Sequence, residues 1–401
     1  MPKLTNYNYF AGRHHETGTV HNYYAYTNAK APHTNQPYSE ALLLGVSGGI
    51  VFGYFSFAYK GYDPHVALLT RNTFNPLETM LSRLGVVQEI RQTSTPEKGV
   101  ANLVDTLADG MPAMVWADMW SMPYNAMKYD EGMWGMMPLL VYGYDEEADQ
   151  VWIADRSSVP LTVTTEELMT ARARVKKDKF RLITLDQPDP EKLTAAVSAG
   201  IWDCINLFTE KPPKGSKKNF GFAAYNHWMD LLTKPNQRLS WAKEFPAGGK
   251  FYAGLTSAFD HMGATGILGD GDRLLYADFL DEAQILLEKP ALSKAAKCFR
   301  SSAEAWQELG RTLLPAEIPL LGKSRELLTQ KRQLFFDKGG DALTQINQIN
   351  ERLGTIRQTM DNDFPLTEDE VSELQQQIAT AVQHVHDVEL EGVDALKAAM
   401  S

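Results

Sequence analysis

The distribution of apolar residues along this 401-residue chain changes near residue 187. Before that point, apolar residues form short runs rich in β-branched and aromatic side chains, which are typical of strands. Helical patterns lie between these runs, and residues 139–155 have the pattern of two strands joined by a turn. The predicted strands are 50–59, 113–117, 139–144, 151–155 and 180–185, and the predicted helices are 76–84 and 100–108.

Beyond residue 190 the spacing of the apolar residues becomes helical. The turn sequence Asp-Gln-Pro-Asp-Pro that begins at Asp186 ends the last predicted strand, which places a boundary near Gln187. A chain of this length also exceeds one ordinary hydrophobic core. The sequence therefore predicts an α+β domain in residues 1–186 and an all-α helical domain in residues 187–401.

The last predicted helix, residues 367–391, has the clearest pattern. Thr367 and Glu370 have the spacing of a capping box. Apolar side chains then recur three and four residues apart, at Val371, Leu374, Ile378, Val382, Val385 and Val388. Packing on the preceding helix as a hairpin explains this stripe most simply, and the seam of a homodimer is the alternative.

Charge and cysteine content narrow the classes of function. The net charge of −11, from 39 basic and 50 acidic side chains, argues against a nucleic acid or an anionic membrane as the main partner. No stretch approaches the ~18 apolar residues of a membrane span, and the first residues do not resemble a signal peptide. Cys204 and Cys298 support neither a disulfide framework nor a thiolate zinc site. We expect a cytoplasmic protein with no cofactor.

Two polar segments stand out in the first 60 residues. Residues 12–19 read Gly-Arg-His-His-Glu-Thr-Gly-Thr and precede an aromatic stretch. Ser39-Glu40 precedes an apolar stretch that ends in a pair of glycines at 48 and 49. The glycine spacing does not match a dinucleotide or P-loop fingerprint, so these glycines are predicted to allow a tight turn.

The two segments resemble the start of the butirosin biosynthesis protein H family, in which a His-Cys pair opens a helix and Ser-Glu precedes a glycine-rich turn. The matching residues are His14-His15-x-Thr17, Ser39-Glu40, Gly45 and Gly48-Gly49. That family is similar to papain-like cysteine peptidases, whose later strands match residues 139–145 and 151–155. Residues 276–283 and 306–309 resemble a helical domain of unknown function that often follows. The resemblance implies a papain-like first domain.

The departures from the family pattern fall on the residues that carry its chemistry. A papain-like acyltransferase needs a thiolate at a helix N-terminus, a histidine that activates it, and a carboxylate or amide that orients the histidine. This chain has His15 at the thiolate position and Met137 or Pro138 at the histidine position, and it keeps the carboxylate as Asp155. A covalent cysteine mechanism is therefore not supported.

Acyl transfer from a thioester to an amine can also proceed when a general base takes the amine's proton. A histidine at a helix N-terminus feels the positive end of the helix dipole, which favours the neutral base. The resemblance thus implies an amide-forming acyltransferase acting on a small-molecule or carrier-protein-bound acyl donor. His15 is predicted to be the base, supported or oriented by His14, Glu40 and Asp155. The predicted substrate-binding residues are Thr17, Ser39, Gly48, Trp116 and Tyr144.

The alternative function is that of a catalytically lapsed relative, within natural-product biosynthesis, that binds a small molecule, a metal ion or a partner protein. The loss of both the thiol and its activating histidine motivates this alternative. His14 and His21 would lie on one helical face but ~10 Å apart along the axis, too far to share an ion unless Glu16 or His65 helped. No metal site is predicted.

Overall fold

A computed structural model describes residues 2–128, 130–174, 176–263 and 269–401 of the chain. The strands are β1 (Ile50–Phe57), β2 (His65–Arg71), β3 (Gln88–Arg91), β4 (Ala113–Asp118), β5 (Met136–Asp145), β6 (Gln150–Ala154), β7 (Leu161–Val163) and β8 (Leu182–Leu185). The longer helices of the first half are α1 (His15–Tyr26), α2 (Glu40–Val46), α3 (Pro76–Arg83), α4 (Pro96–Ala108) and α5 (Thr165–Ala173).

The remaining helices follow without an intervening strand in the described residues. They are α6 (Leu193–Thr209), α7 (Gly221–Thr233), α8 (Trp241–Glu244), α9 (Gly249–Met262), α10 (Arg273–Leu286), α11 (Leu292–Leu313), α12 (Pro319–Lys338), α13 (Leu343–Asn362) and α14 (Glu368–Met400). The predicted α+β class with a helical C-terminal region is thus confirmed. The predicted strands do not include β2, β3 and β7. Strands β3 and β7 have four and three residues, which are too few to display a period, whereas the seven residues of β2 do alternate between buried and half-buried.

The chain divides into two compact units, and neither is continuous in sequence. The first unit comprises Met1–Leu43, Met80–Leu193 and Gln333–Gln348, and the second comprises Leu44–Thr79, Thr194–Arg332 and Ile349–Ser401. The domain boundary that the sequence places near Gln187 stays a prediction.

The first unit is built on a six-stranded sheet with the strand order β3-β8-β4-β5-β6-β7. Every neighbouring pair is antiparallel. All six residues of β4 are buried, as its apolar sequence requires of a strand in the interior of a sheet. The predicted hairpin is confirmed as β5 and β6, and α1 packs on β5. This packing brings the start of α1 close to the sheet.

The second unit contains the antiparallel pair β1–β2 and most of the helices. The capping box of Thr367 and Glu370 is confirmed at the start of α14. The predicted hairpin packing is wrong, because α14 packs on α11 and α7. Gly392 permits the close approach, since a Cβ there would lie 3.1 Å from the Phe299 ring of α11. The preceding helix α13 is mostly exposed and offers little apolar surface.

The stripe on α14 that suggested a homodimer is largely buried inside the second unit, with Val371 through Val385 buried and Val388 half-buried. The burial continues past Val388, through Val393 and Leu396. Among the described residues, no helix combines the length and the apolar character that crossing a membrane requires.

Candidate functional site

The His14-His15 pair lies where a loop enters α1. His15 is the first helical residue, and His14 is the N-cap with an extended backbone, φ −113° and ψ 149°. The loop before them is tight, because a Cβ on Gly12 would lie 2.7 Å from the Cα of Gly18. The N–H of Ala11 donates to the carbonyl of Ser157 at 2.7 Å. This bond ties the entrance of α1 to the segment that follows β6.

The Glu40 carboxylate holds the same loop from the other side. It accepts hydrogen bonds from the N–H groups of Arg13 and His14, at 2.7 and 2.8 Å, and from the Thr17 hydroxyl at 3.0 Å. Burial raises the pKa of Glu40, and these three hydrogen bonds lower it without cancelling the effect of burial. Glu40 therefore holds the residues that flank His15, and its predicted role in supporting a catalytic His15 stays a prediction.

Replacing Glu40 with glutamine is expected to lower the free energy of unfolding by about 1–3 kcal/mol. The glutamine amide would place its NH2 group against donors that now share a carboxylate, leaving one buried donor unsatisfied. Chemical denaturation would measure the loss. The matched control is Glu97→Gln, an exposed acid in the first turn of α4, which should change stability by less than about 0.5 kcal/mol. If the two substitutions lowered the free energy of unfolding equally, Glu40 would stabilise the protein only through its interaction with a helix dipole.

Asp155 comes directly after β6 and faces His15. The His15 Nδ1 atom lies 3.4 Å from Asp155 Oδ1, which is within ion-pair distance but longer than an ordinary N–H···O hydrogen bond. The Arg156 guanidinium approaches both carboxylate oxygens at 3.3 Å, and the Tyr124 hydroxyl donates to Oδ2 at 3.3 Å. Burial raises the pKa of Asp155, but Arg156 and His15 outweigh burial and hold this pKa well below its usual value. Asp155 is therefore a buried carboxylate anion.

This arrangement gives the His15 ring a defined orientation. A carboxylate accepts hydrogen bonds, so it favours the tautomer that carries its proton on Nδ1 and leaves the lone pair on Nε2. The His15 side chain is 8% exposed and that of Asp155 is 3% exposed. His15 therefore has a buried partner on one side and a basic nitrogen on the other, which is the geometry of an oriented general base.

The depressed pKa of Asp155 predicts how stability depends on pH. Its folded-state pKa lies below the ordinary value of 3.8, so its contribution is complete above that pH and is lost as the pH falls further. The difference in unfolding free energy between wild type and Asp155→Asn should shrink by at least about 1 kcal/mol as the pH falls below about 4. Denaturation curves recorded from neutral to acidic pH would measure it. Parallel curves for the two proteins would contradict the assignment.

Of the other predicted site residues, some lie near His15 and others lie elsewhere in the structure. Thr17 is engaged with Glu40, and Ser39 caps α2 by accepting the N–H of Leu42 at 2.9 Å. Trp116 lies on β4 with the Arg181 guanidinium 4.4 Å from its ring centre. Tyr144 lies on β5. No hydrogen bond or ion pair joins Trp116 or Tyr144 to His15 or Asp155 in the described part of the chain.

Gly48 belongs to the second unit, in the turn between α2 and β1. Its φ is +109°, and a Cβ there would lie 2.4 Å from the Nδ2 atom of Asn72. The predicted tight turn is therefore confirmed, and the backbone conformation explains this glycine without a ligand.

The structure also locates the positions at which the sequence is predicted to depart from the family pattern. Met137 and Pro138 lie at the start of β5, and the Thr19 hydroxyl of α1 donates to the Pro138 carbonyl at 3.4 Å. Both cysteines belong to the second unit, and burial raises the pKa of Cys204 to about 12. Among the described residues, no group of three or more histidine, cysteine or acidic side chains could hold a metal ion.

The sequence alone does not identify Tyr124, which lies 31 residues before Asp155. Nothing in the local sequence distinguishes Tyr124 from its apolar neighbours. Its phenolic oxygen was the one available signal, because a buried tyrosine hydroxyl usually has a hydrogen-bond partner.

Two family models match the chain. Residues 14–156 match the model described as Butirosin biosynthesis protein H, N-terminal, and residues 166–319 match the Domain of unknown function (DUF4872). Curated proteins gave no significant match. The first match begins at His14 and ends at Arg156, so it contains the His15–Asp155 pair. The chain therefore carries a domain like butirosin biosynthesis protein H, N-terminal, in residues 14–156, followed by a match to DUF4872 in residues 166–319.

Proposed function

We propose that this protein is a biosynthetic acyltransferase that forms an amide from a thioester and an amine, with His15 as a general base. The observation that carries the proposal is the contact between His15 and the buried carboxylate of Asp155 at the N-terminus of α1. His15 occupies the position of the family's cysteine, and the described cysteines lie in the other unit. A base that acts without a covalent intermediate is the chemistry these residues can supply.

In the proposed reaction, His15 Nε2 accepts the proton that the amine loses as its nitrogen attacks the thioester carbonyl. The C–N bond forms, and the C–S bond breaks as the tetrahedral intermediate collapses. The imidazolium then returns its proton to the leaving thiolate, so His15 ends the cycle unchanged. Asp155 stabilises the imidazolium and keeps the ring in place. General base catalysis of this kind contributes about 10²- to 10⁴-fold to a rate.

The helix terminus supports the same reaction. His15 is the first residue of α1, so in this proposal the reacting carbonyl lies at the positive end of the helix dipole. That field would stabilise the oxyanion that develops on the thioester carbonyl.

The same positions support a papain-like arrangement of the first unit. Residue 15 begins a helix that packs on β5, the expected histidine position falls on β5, and Asp155 follows β6. We propose that this chain retains that scaffold. His15, at the position where the family has its nucleophile, would serve as the general base.

The proposal is tested by incubating the protein with short-chain acyl-coenzyme A and acyl-N-acetylcysteamine thioesters together with primary amines, and by detecting amides by mass spectrometry. Amide formation above the uncatalysed rate would support the acyltransferase. Native mass spectrometry of the same mixtures tests the second candidate function, a catalytically inactive protein that binds a small molecule. The predicted loss of both the thiol and its activating histidine favours this candidate. A thioester that binds stoichiometrically and is never converted would identify a binding protein and overturn the proposed activity.

A further inference from the structure

Besides His15, two other side chains approach the buried carboxylate of Asp155. Oδ1 faces His15 Nδ1 and Arg156 Nε, whereas Oδ2 faces Arg156 Nη2 and the Tyr124 hydroxyl. The Tyr124 hydroxyl is the one neutral donor that faces Oδ2. It engages only the oxygen that is turned away from His15.

We propose that Tyr124 is a positioning residue whose hydroxyl fixes the rotation of the Asp155 carboxylate so that Oδ1 stays directed at the His15 ring. The inference rests on the proposed role of His15 as the base. Without the Tyr124 hydroxyl, Arg156 is the remaining partner of Oδ2. A bidentate pair with Arg156 alone then competes with His15 for the carboxylate.

The segment that carries Tyr124 is itself held in place. Tyr124 lies in a short 3₁₀ turn, Pro123–Asn125, and its side chain is buried. Asn125 Oδ1 accepts from Arg156 Nη2 at 2.6 Å, and Asn125 Nδ2 donates to the Met119 carbonyl at 2.9 Å. The turn and the Asp155-Arg156 segment are thus joined by two side chains, so the position of the hydroxyl is defined from both sides.

A phenylalanine ring completes the surroundings of Tyr124. The Phe335 ring centre lies 6.3 Å from that of Tyr124, in a stacked arrangement, and 5.2 Å from the Arg156 guanidinium. This packing limits the freedom of both partners of Oδ2. Burial and the adjacent Asp155 carboxylate also raise the pKa of Tyr124 well above its ordinary value. The phenol therefore remains a hydrogen-bond donor at physiological pH.

The first test reads the His15 ring directly and needs no substrate. NMR of the imidazole nitrogens, recorded above about pH 8 where an ordinary histidine is neutral, reports which nitrogen carries the proton. The His15 signals are assigned by their absence from His15→Gln. Wild type should show the proton on Nδ1, and Tyr124→Phe should show a mixture of tautomers. The matched control is Tyr142→Phe, a buried tyrosine of β5 whose ring stacks on Tyr7, which should leave the tautomer unchanged.

The second test is a double-mutant cycle on amide formation, with a coenzyme A thioester and a primary amine from the panel above. Tyr124→Phe should lower the rate about fivefold with little change in KM. The same substitution should have no effect in an Asp155→Asn background, because Tyr124 acts through that carboxylate.

The outcomes separate this inference from the proposed function. An unchanged tautomer in Tyr124→Phe, or a rate loss that persists in the Asp155→Asn background, would overturn the positioning role. If wild type makes no amide but the tautomer shifts as expected, the positioning role stands and the acyltransferase proposal fails.

Discussion

Replacing His15 with glutamine is expected to lower the rate of amide formation by at least about 100-fold. Glutamine preserves a polar side chain at the first position of α1 but has no basic nitrogen to accept the amine's proton. The His15 side chain is buried, and the polar contact that it makes with Asp155 is long. Because the substitution removes little stabilising interaction, the protein should remain folded. Initial rates of amide formation by mass spectrometry, with KM determined for each variant, measure the effect.

The matched control for this substitution is His384→Gln, on the exposed face of α14 in the second unit. This substitution makes the same chemical change at a histidine that has no role in the proposed mechanism. Its rate should equal that of wild type. Thermal unfolding of both variants separates loss of activity from loss of structure. Turnover by folded His15→Gln at the wild-type rate would remove His15 from the mechanism.

The largest expected effect on stability lies in the second unit, at Glu389. This carboxylate is completely buried and forms an ion pair with Arg273, which is also completely buried. Its hydrogen-bond donors, with distances, are Arg273 Nε at 2.6 Å and Nη2 at 3.1 Å, Tyr225 at 2.6 Å, Ser302 at 2.9 Å and Trp306 at 2.9 Å. Glu389→Gln should lower the free energy of unfolding by about 3–5 kcal/mol, because it leaves the Arg273 charge buried without a counter-charge.

Denaturant unfolding measures this loss, and Glu391→Gln is the matched control. Glu391 lies on the exposed side of the same helix and should change stability by less than about 0.5 kcal/mol. A double substitution, Arg273→Met with Glu389→Leu, should recover part of the loss, since apolar side chains of similar volume can replace a buried ion pair. A loss below about 1 kcal/mol for Glu389→Gln would show that the network does not anchor α14.

Features of the chain that depend on neighbouring residues could be predicted from the sequence. The capping box of Thr367 and Glu370, and the turn between the two strands of 139–155, require only residues a few positions apart. Each of these signals arises from backbone geometry that a short segment fixes by itself.

The rest could not be predicted, because it depends on residues far apart in the chain. Glu40 bonds His14 across 26 positions, and Arg273 bonds Glu389 across 116. The sequence does contain one indication of the role of Glu389. This residue follows Val385 by four positions, so a charged side chain occupies the next position of the apolar stripe on α14. A charge at a stripe position predicts a buried partner but does not identify it.

We propose that acyl transfer by this protein proceeds without a covalent enzyme intermediate. The most direct measurement is the intact mass of the protein, acid-quenched during a single turnover with a coenzyme A thioester and a primary amine. We expect amide product to accumulate while the protein keeps its unmodified mass at every time point. A transient gain of the acyl mass that is formed and consumed at the rate of turnover would contradict it.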